Sequence, residues 1–279
     1  MIHEIFDIDV DYEKAGIPKP TKTPILELYV PMSHGAYPEQ NIDVRTTVLI
    51  VPGGGYHFLS ENESDPIAVF FMNAGCNCAI LRYSVSPDET IFPAALMQEA
   101  KALYMLKEMA DKYGIDRDRI FTCGFSAGGH LAASLGVFWN RKFLKDLLGI
   151  ENDKFKPAGT ILEYPVLVNH GKHHQGSFIN LLGSKYGDKE LMELTSLEKQ
   201  VSDETTPMYI MHTIEDTCVP LEGTLLFTNK LREHGVPFEL HIYDHGNHGI
   251  STASRLVGNQ NSRLSNWMTM AVDWMFGIQ

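Results

Sequence analysis

Residues 124–128 read Gly-Phe-Ser-Ala-Gly, a G-x-S-x-G pentapeptide centred on Ser126. It follows an apolar run, Arg119–Cys123, and precedes a run of helical character, His130–Leu135. A serine hydroxyl becomes a useful nucleophile only when geometry and a nearby base activate it. A sharp turn between a strand and a helix exposes the hydroxyl, and the amide of Ala127 can then face a developing oxyanion. The motif therefore predicts a serine nucleophile, against the alternative of a glycine-rich turn before an ordinary helix.

A carboxylate that could orient a catalytic histidine lies downstream of this serine. Asp216 follows the predicted strand Met208–His212, within the segment Ile214-Glu-Asp-Thr-Cys-Val-Pro220. In one frequent chain order of serine hydrolases, the acid comes after the serine and before the histidine. Asp216 is preferred because the Asp-x-x-Val-Pro spacing places it in a loop that ends at the proline. Glu215 and Asp203 are rivals, and a helix-capping role is the alternative for the acid.

Two histidines follow the last predicted strand, Phe238–Tyr243, in the run Asp244-His-Gly-Asn-His-Gly249. Small neighbours allow an imidazole to protrude from a loop between a carboxylate and a serine. His248 is preferred because it lies in a Gly-x-His-Gly context, and His245 is the alternative. A metal site is disfavoured because no carboxylate or thiolate set completes a ligand group and no H-E-x-x-H motif occurs. The sequence therefore predicts neither a bound metal nor an organic cofactor.

A second source of amide donors is the run Val51-Pro-Gly-Gly-Gly-Tyr56, which directly follows a predicted strand. Three glycines permit the positive φ angles that turn amides toward one point, as an oxyanion hole requires. The run has neither the Gly-x-Gly-x-x-Gly spacing nor a following Lys-Ser/Thr pair, so it is not predicted to cradle phosphate. A tight strand-to-helix turn without a chemical role is the alternative.

Apolar runs alternate with helical patterns along most of the chain, and several runs are continuous, as in strands buried on both faces of a parallel sheet. The predicted strands are Ile25–Val30, Thr47–Val51, Cys78–Tyr83, Ile120–Cys123, Gly159–Tyr164, Met208–His212 and Phe238–Tyr243. The predicted helices are Pro66–Ala74, Ala94–Tyr113, Glu222–His234 and a C-terminal segment from Leu264 to Met275. This alternation predicts an α/β protein with a doubly wound, mostly parallel sheet of about eight strands and helices on both faces.

Residues 1–279 contain no Pro/Ser-rich linker, repeat or low-complexity tract, so one domain is predicted. Residues 169–206 are irregular and lie between two predicted strands. They are interpreted as an insertion over the C-terminal edge of the sheet, where open α/β sheets bind ligands. His170 and His174 in this insertion, and Tyr56 beside the glycines, are expected to contact substrate. A solvated loop surface is the alternative for the histidines.

The composition limits the classes of partner. A formal net charge of −12 argues against nucleic acid or an anionic membrane as a partner. Neither a signal peptide nor a membrane span is predicted, because no cationic start with an apolar core and no apolar stretch of about 18 residues occurs. The four cysteines, Cys76, Cys78, Cys123 and Cys218, are interpreted as small buried side chains rather than a disulfide framework. A cytoplasmic location is therefore expected, and a homodimer remains open.

These motifs together are similar to those of the hormone-sensitive-lipase-like branch of the α/β-hydrolase esterases. The likeness is most specific over residues 46–140 and extends more loosely beyond. The matching pieces include Pro52-Gly-Gly-Gly55, Gly124-Phe-Ser-Ala-Gly-Gly-His-Leu-Ala-Ala133, Asp216-x-x-Val-Pro220 and Gly246-Asn-His-Gly249. The chain has Pro52 where a histidine is commoner. This form, with Tyr56, Glu63 and Pro66 beyond it, resembles bacterial carbohydrate esterases described as acetyl-xylan or feruloyl esterase-like.

The resemblance implies the α/β-hydrolase fold and two groups of site residues. The implied catalytic triad is Ser126, Asp216 and His248. The implied oxyanion donors are the amides of Gly53, Gly54 and Ala127. Whether Gly55 takes the place of Gly53 is left open by the sequence.

The expected activity is that of a serine carboxylesterase acting on a small-molecule ester. Short acyl esters, especially acetyl groups on small sugars, are the expected substrates. The reasons are the missing N-terminal helical cap and the polar first half of the insertion. A peptidase of the prolyl-oligopeptidase type is an alternative, since it shares the elbow and the chain order. A non-catalytic binding protein on a hydrolase fold is the second alternative.

Overall fold

The computed structural model describes residues 1–32, 44–86 and 91–278. Its strands are β1 (Ile2–Asp7), β2 (Ile25–Val30), β3 (Arg45–Val51), β4 (Asn77–Arg82), β5 (Ile115–Phe125), β6 (Gly159–Glu163), β7 (Met208–Thr213) and β8 (Phe238–Tyr243). They form one eight-stranded sheet in the order β1-β2-β4-β3-β5-β6-β7-β8. The strands from β3 to β8 are mutually parallel, whereas β2 runs antiparallel to its neighbours β4 and β1 near one edge.

The parallel strands place the functional loops at one edge of the sheet. Their carboxyl ends are aligned, with Val51 of β3 paired with Gly124 of β5, and Phe125 paired with Glu163 of β6. The central strands are buried along nearly their whole length, so their sequences are continuous apolar runs rather than alternating ones. The loops that leave these strands therefore converge, which is where ligands bind in open α/β sheets.

The helices of the described chain are α1 (Asp65–Asn73), α2 (Ala94–Glu108), α3 (Ala110–Tyr113), α4 (Ser126–Phe138), α5 (Lys142–Leu148), α6 (Gln175–Leu182), α7 (Lys189–Leu194), α8 (Leu221–Glu233), α9 (Ser262–Ser265) and α10 (Trp267–Gly277). They cover both faces of the sheet. Leu103 of α2, Leu131 of α4 and Phe227 of α8 belong to one buried cluster, and Phe71 of α1 and Trp267 of α10 to the other. Removing this apolar surface from water is the main stabilisation of such a layered arrangement.

The predicted fold class is confirmed, and the differences are local. Strand β1 was not predicted; it is an edge strand in which half-buried and exposed residues alternate, so it has no continuous apolar signal. The predicted helix Ala94–Tyr113 is interrupted at Met109, which ends α2 and precedes α3. The irregular segment 169–206 contains α6 and α7, with one short 3₁₀ turn between them and another after α7. Its interpretation as an insertion within one domain stays a prediction.

Candidate active site

The elbow around Ser126 is a strand-to-helix turn. Strand β5 ends at Phe125 and α4 starts at Ser126, whose φ of +52° is unusual for a residue with a side chain. Such a conformation costs roughly 1–3 kcal/mol and persists only where the surroundings impose it. Glycine is required nearby, because a Cβ at Gly128 would lie 2.1 Å from the carbonyl oxygen of Val51. The turn thus crowds α4 against β3 and holds the serine at the start of the helix.

Ser126, His248 and Asp216 form a hydrogen-bonded chain. His248 Nε2 lies 2.8 Å from Ser126 Oγ, and His248 Nδ1 lies 2.6 Å from Asp216 Oδ2. With an ionised carboxylate, the Nδ1–H donates to Asp216, which leaves Nε2 to accept the serine proton. Ser126 is the first residue of α4, directly after β5, and Asp216 and His248 lie in the loops after β7 and β8. The structure therefore brings the predicted triad together, and the catalytic roles of its members stay predictions.

The carboxylate of Asp216 is held in its charged form. Its Oδ1 accepts the amides of Cys218 at 2.9 Å and Val219 at 2.8 Å, and its Oδ2 faces both His248 and, at 3.5 Å, Nε2 of the buried His212. Burial by itself would raise the pKa of Asp216, but the hydrogen bonds from His212 and His248 outweigh it and hold the pKa well below its usual range. An ionised Asp216 can orient the imidazole and stabilise an imidazolium.

The rival residues form a separate pair on the surface. His245 Nδ1 lies 2.9 Å from Glu215 Oε1, and the His245 side chain is 74% exposed. Asp203 is exposed in the turn before β7. The pairing of His245 with Glu215 makes a locally similar histidine–carboxylate couple, but only His248 is hydrogen-bonded to Ser126.

One of the amides implied as oxyanion donors already has an acceptor within the protein. The amide of Gly53 donates to Glu63 Oε2 at 2.9 Å, so it is already engaged and leaves the expected donor set. Within residues 44–86 and 91–278, the amides of Gly54, Gly55 and Ala127 have no acceptor in the protein. Gly54 has φ of +125°, and a Cβ there would lie 2.0 Å from the carbonyl oxygen of Phe58. This loop conformation therefore needs glycine and leaves free amides beside the serine.

A cavity of about 450 Å³ opens at these residues. Small-molecule sites generally measure about 300–1,000 Å³ and combine apolar walls with a few polar groups. In addition to Ser126 and His248, its walls include His57, Phe58, Glu63, His174, Asn180 and Cys218. Phe58 is 59% exposed. The cavity is therefore an open cleft large enough for a small ester rather than a long buried channel.

Two of the three residues expected to contact substrate do not reach this cavity. Tyr56 is only 3% exposed, and its hydroxyl donates to His130 Nδ1 at 2.8 Å, because His130 Nε2 donates to the carbonyl oxygen of Thr195 at 2.9 Å. This contact ties the glycine loop to the insertion through α4, so Tyr56 has a structural position. His170 lies 2.8 Å from Glu198 and is absent from the cavity wall.

His174 does line the cavity. Its Nδ1 accepts the Ser177 hydroxyl at 2.8 Å and the Ser177 amide at 3.3 Å, at the start of α6. The proton of the neutral ring is therefore on Nε2, which has no partner in the described part of the chain and can donate to a ligand. Burial lowers the pKa of His174, and His248 adds to the effect, so the neutral form is favoured.

Several residues of the cavity were not expected from the sequence. Glu63 was noted only as part of the resemblance, and Phe58 and Asn180 had no pattern that marked them. The expectation for Cys218 is wrong, because this cysteine is exposed and lines the cavity, whereas Cys76, Cys78 and Cys123 are buried. The position of Cys218 in the loop that carries Asp216 was the one sequence feature that could have indicated its exposure.

No cluster of three or more His, Cys, Asp or Glu side chains that could hold a metal ion occurs in the described ranges. Among the helices named above, none is both long and apolar enough to cross a membrane.

Among curated proteins, the relatives of this chain include one named as a xylanase and several named as esterases. The chain is 36% identical over 222 residues to endo-1,4-beta-xylanase B of Butyrivibrio fibrisolvens, a match that covers 77% of this chain and 34% of that protein. It is 27% identical over 225 residues to an acetylxylan esterase of Xylanibacter ruminicola, covering 78% of this chain and 44% of that protein. The chain thus spans less than half the length of these relatives.

Solved structures match over nearly the whole chain. The acetyl ester-xyloside bifunctional hydrolase of Caldicellulosiruptor lactoaceticus is 29% identical with a TM-score of 0.82, covering 99% of this chain and 96% of that one. MGS-M1, an α/β hydrolase from a deep-sea metagenome library, is 28% identical with a TM-score of 0.75, covering 99% and 98%. The BD-FAE family model matches residues 36–231. The chain therefore belongs to the BD-FAE family and has the α/β-hydrolase fold.

Proposed function

We propose that this protein is a serine carboxylesterase that hydrolyses short acyl esters through an acyl-enzyme on Ser126. The observation that carries the proposal is the continuous chain of hydrogen bonds from Ser126 through His248 to Asp216. A serine, a histidine that accepts its proton and a carboxylate that fixes the histidine tautomer are the parts that acyl transfer requires. The esterases among its relatives support the same reaction class.

The geometry supports the following reaction. His248 Nε2 takes the proton of Ser126 Oγ as the oxygen attacks the ester carbonyl carbon. The amides of Gly54 and Ala127 bind the oxyanion of the tetrahedral intermediate, and these donors are worth most in a site that excludes water. The C–O bond to the alcohol breaks, and the alcohol leaves with the proton held by His248. Water then attacks the acyl-enzyme with His248 as base, which releases the carboxylic acid and restores the serine.

Acetylated sugars are the substrate class that we propose. One relative is described as an acetylxylan esterase and one structural neighbour as an acetyl ester-xyloside hydrolase. In this chain, the Nε2–H of His174 can donate to a sugar hydroxyl, and the exposed ring of Phe58 offers an apolar face for the sugar ring. An alkyl chain would leave such polar groups without partners, which costs free energy.

A panel of esters tests both the serine mechanism and the proposed substrate class. Purified wild type and Ser126→Ala are compared on p-nitrophenyl acetate, butyrate and octanoate, and on acetylated xylo-oligosaccharides with release of acetate measured. We expect wild type to prefer the acetates, and Ser126→Ala to lose activity by several orders of magnitude with an unchanged Tm. Full activity of Ser126→Ala would contradict the serine mechanism. A preference for octanoate with inert sugar acetates would contradict only the proposed substrate class.

A further inference from the structure

Glu63 is a buried carboxylate at the active-site cavity that the proposed reaction does not use. It ends a 3₁₀ turn, Glu61–Glu63, between the glycine loop and α1. Its side chain is within the cavity wall beside Ser126 and His248, yet the residue is only 4% exposed. Burying a carboxylate is costly unless it is well hydrogen-bonded, so its partners indicate what it does.

Both oxygens of this carboxylate accept hydrogen bonds. Oε2 accepts the amide of Gly53 at 2.9 Å, and Oε1 accepts the hydroxyl of Tyr164 at 2.8 Å. The direction of the second bond follows from Ser251, whose amide donates to the Tyr164 oxygen at 3.0 Å. The phenol hydrogen is therefore free to point to Glu63, and the ionised carboxylate is the form that satisfies both donors.

Through its two partners, Glu63 is linked to both loops that must stay aligned for acyl transfer. Gly53 belongs to the glycine loop, and Tyr164 directly follows β6 and accepts the amide of Ser251, which lies after His248 in the loop beyond β8. The Ser251 hydroxyl also donates to the carbonyl oxygen of Asn62. The Tyr164 ring packs edge-on against the imidazole of His248, with centroids 4.9 Å apart. Glu63 therefore connects the oxyanion donors to the general base through a few short contacts.

Backbone strain marks the same connection. Tyr164 has φ of +38° and Ser251 has φ of +51°, in the left-handed region that residues with side chains rarely adopt. A non-glycine residue stays in this region only where its surroundings impose it. The hydrogen bonds of Tyr164 with Glu63 and with Ser251 join these two residues to the same network.

We infer that Glu63 is a positioning residue for the proposed esterase reaction, which holds the glycine loop and the His248 loop in one fixed relation. By accepting the Gly53 amide, Glu63 fixes the orientation of the peptide between Pro52 and Gly53. The next amide along the chain, that of Gly54, is left for the oxyanion. Through Tyr164, whose ring packs edge-on against the imidazole, it supports His248. This inference rests on the proposed function and adds a residue outside its triad.

The charge of Glu63 also matters for the network. Burial raises the pKa of Glu63, and the hydrogen bonds from Tyr164 and Gly53 and the nearby His248 offset only part of that rise. A neutral side chain of the same shape would lose one acceptor. In the variant Glu63→Gln, the NH₂ group of the new side chain would have to face either the Gly53 amide or the Tyr164 hydroxyl hydrogen, and it can accept from neither.

The test is Glu63→Gln, measured with p-nitrophenyl acetate and with a methyl trifluoromethyl ketone, whose serine adduct carries an oxyanion. We expect kcat to fall about 10- to 100-fold while KM stays within about threefold, because the misplaced donors act on the transition state. The Ki of the ketone should rise by a similar factor. A merely structural role would lower the fraction of active enzyme without changing this inhibition constant.

Two further variants serve as controls. Tyr164→Phe removes one of the two donors and keeps the carboxylate, so it should show the same pattern with a smaller loss. Glu99→Gln changes another buried glutamate, on α2 and outside the cavity wall, and should keep kcat within about twofold. If Glu63→Gln fails to fold, as judged by its Tm, Tyr164→Phe still decides the question.

The outcomes separate this inference from the proposed function. An active wild type with kcat unchanged in both Glu63→Gln and Tyr164→Phe overturns the inference alone. A lower kcat with an unchanged Ki for the ketone also overturns it, because the oxyanion donors are then unaffected. A wild type that hydrolyses no ester and binds no ketone would overturn the proposed function, and this inference with it.

Discussion

Asp216 Oδ2 lies 2.6 Å from His248 Nδ1, while the neighbouring Glu215 binds the exposed His245 instead. Two adjacent acids thus serve two different histidines, and only one of these histidines contacts Ser126. We expect Asp216→Asn to lower kcat by about 10²- to 10⁴-fold, because the amide favours the wrong imidazole tautomer. Steady-state kinetics on p-nitrophenyl acetate measure the loss. Glu215→Gln is the matched control and should stay near wild type; an equal loss in both variants would contradict the assignment.

The two histidines of the last loop provide a second test. His248→Ala should reduce kcat by several orders of magnitude, since the proposed base for the Ser126 proton is lost. His245→Ala should have little effect, because its side chain is exposed and paired only with surface acids. A fluorophosphonate probe, which needs an activated serine, should label wild type and His245→Ala but label His248→Ala slowly. Reversal of this order would assign the base to His245.

The buried His130 predicts how stability depends on pH. Burial lowers the pKa of His130 to about 4, against the hydrogen bond that its Nε2–H makes to Thr195. The unfolded chain, with a histidine pKa of about 6.5, therefore binds more protons between pH 6.5 and 4. The stabilisation from a neutral His130 is complete above pH 6.5 and is lost as the pH falls toward 4, by up to about 3 kcal/mol.

Urea unfolding at several pH values measures this dependence. The free energy of unfolding of wild type should fall more steeply between pH 6.5 and 4 than that of His130→Gln, which has no titrating group there. The variant should be less stable at pH 7, because it loses contacts with Tyr56 and Thr195. Parallel curves for the two proteins would show that His130 does not titrate in this range.

The exposed ring of Phe58 predicts a specific effect on sugar substrates. Phe58→Ala should raise KM for acetylated xylo-oligosaccharides about 5- to 10-fold, the loss expected for about 1–1.4 kcal/mol of binding energy. KM for p-nitrophenyl acetate should change less than twofold, since this ester has no sugar ring. Phe276→Ala is a matched control, because Phe276 is similarly exposed but lies on α10 outside the cavity. Equal effects on both substrates would contradict a sugar-binding role.

Much of this site follows from the sequence because its parts are local. The elbow at Ser126 needs only a strand, a small-residue turn and a helix, all encoded within a short segment. Asp216 and His248 each follow a parallel strand, and adjacent parallel strands carry their C-terminal loops to the same edge. The alternation of apolar runs and helical patterns along the chain is enough to predict that sheet. Strand β1 was not predicted, because edge strands have a weak apolar signal.

Only the tertiary structure decided which of the local possibilities is used. Gly53 and Gly54 are equivalent by sequence, and the carboxylate of Glu63 distinguishes them by engaging the Gly53 amide. Tyr56 is buried and hydrogen-bonded to His130, and His245 is hydrogen-bonded to Glu215 rather than to the serine. Each of these choices depends on a partner brought close by packing of the whole sheet and its helices. Short motifs encode backbone shape, whereas the partner of a polar group is set by which distant segments the fold places within about 3 Å of it.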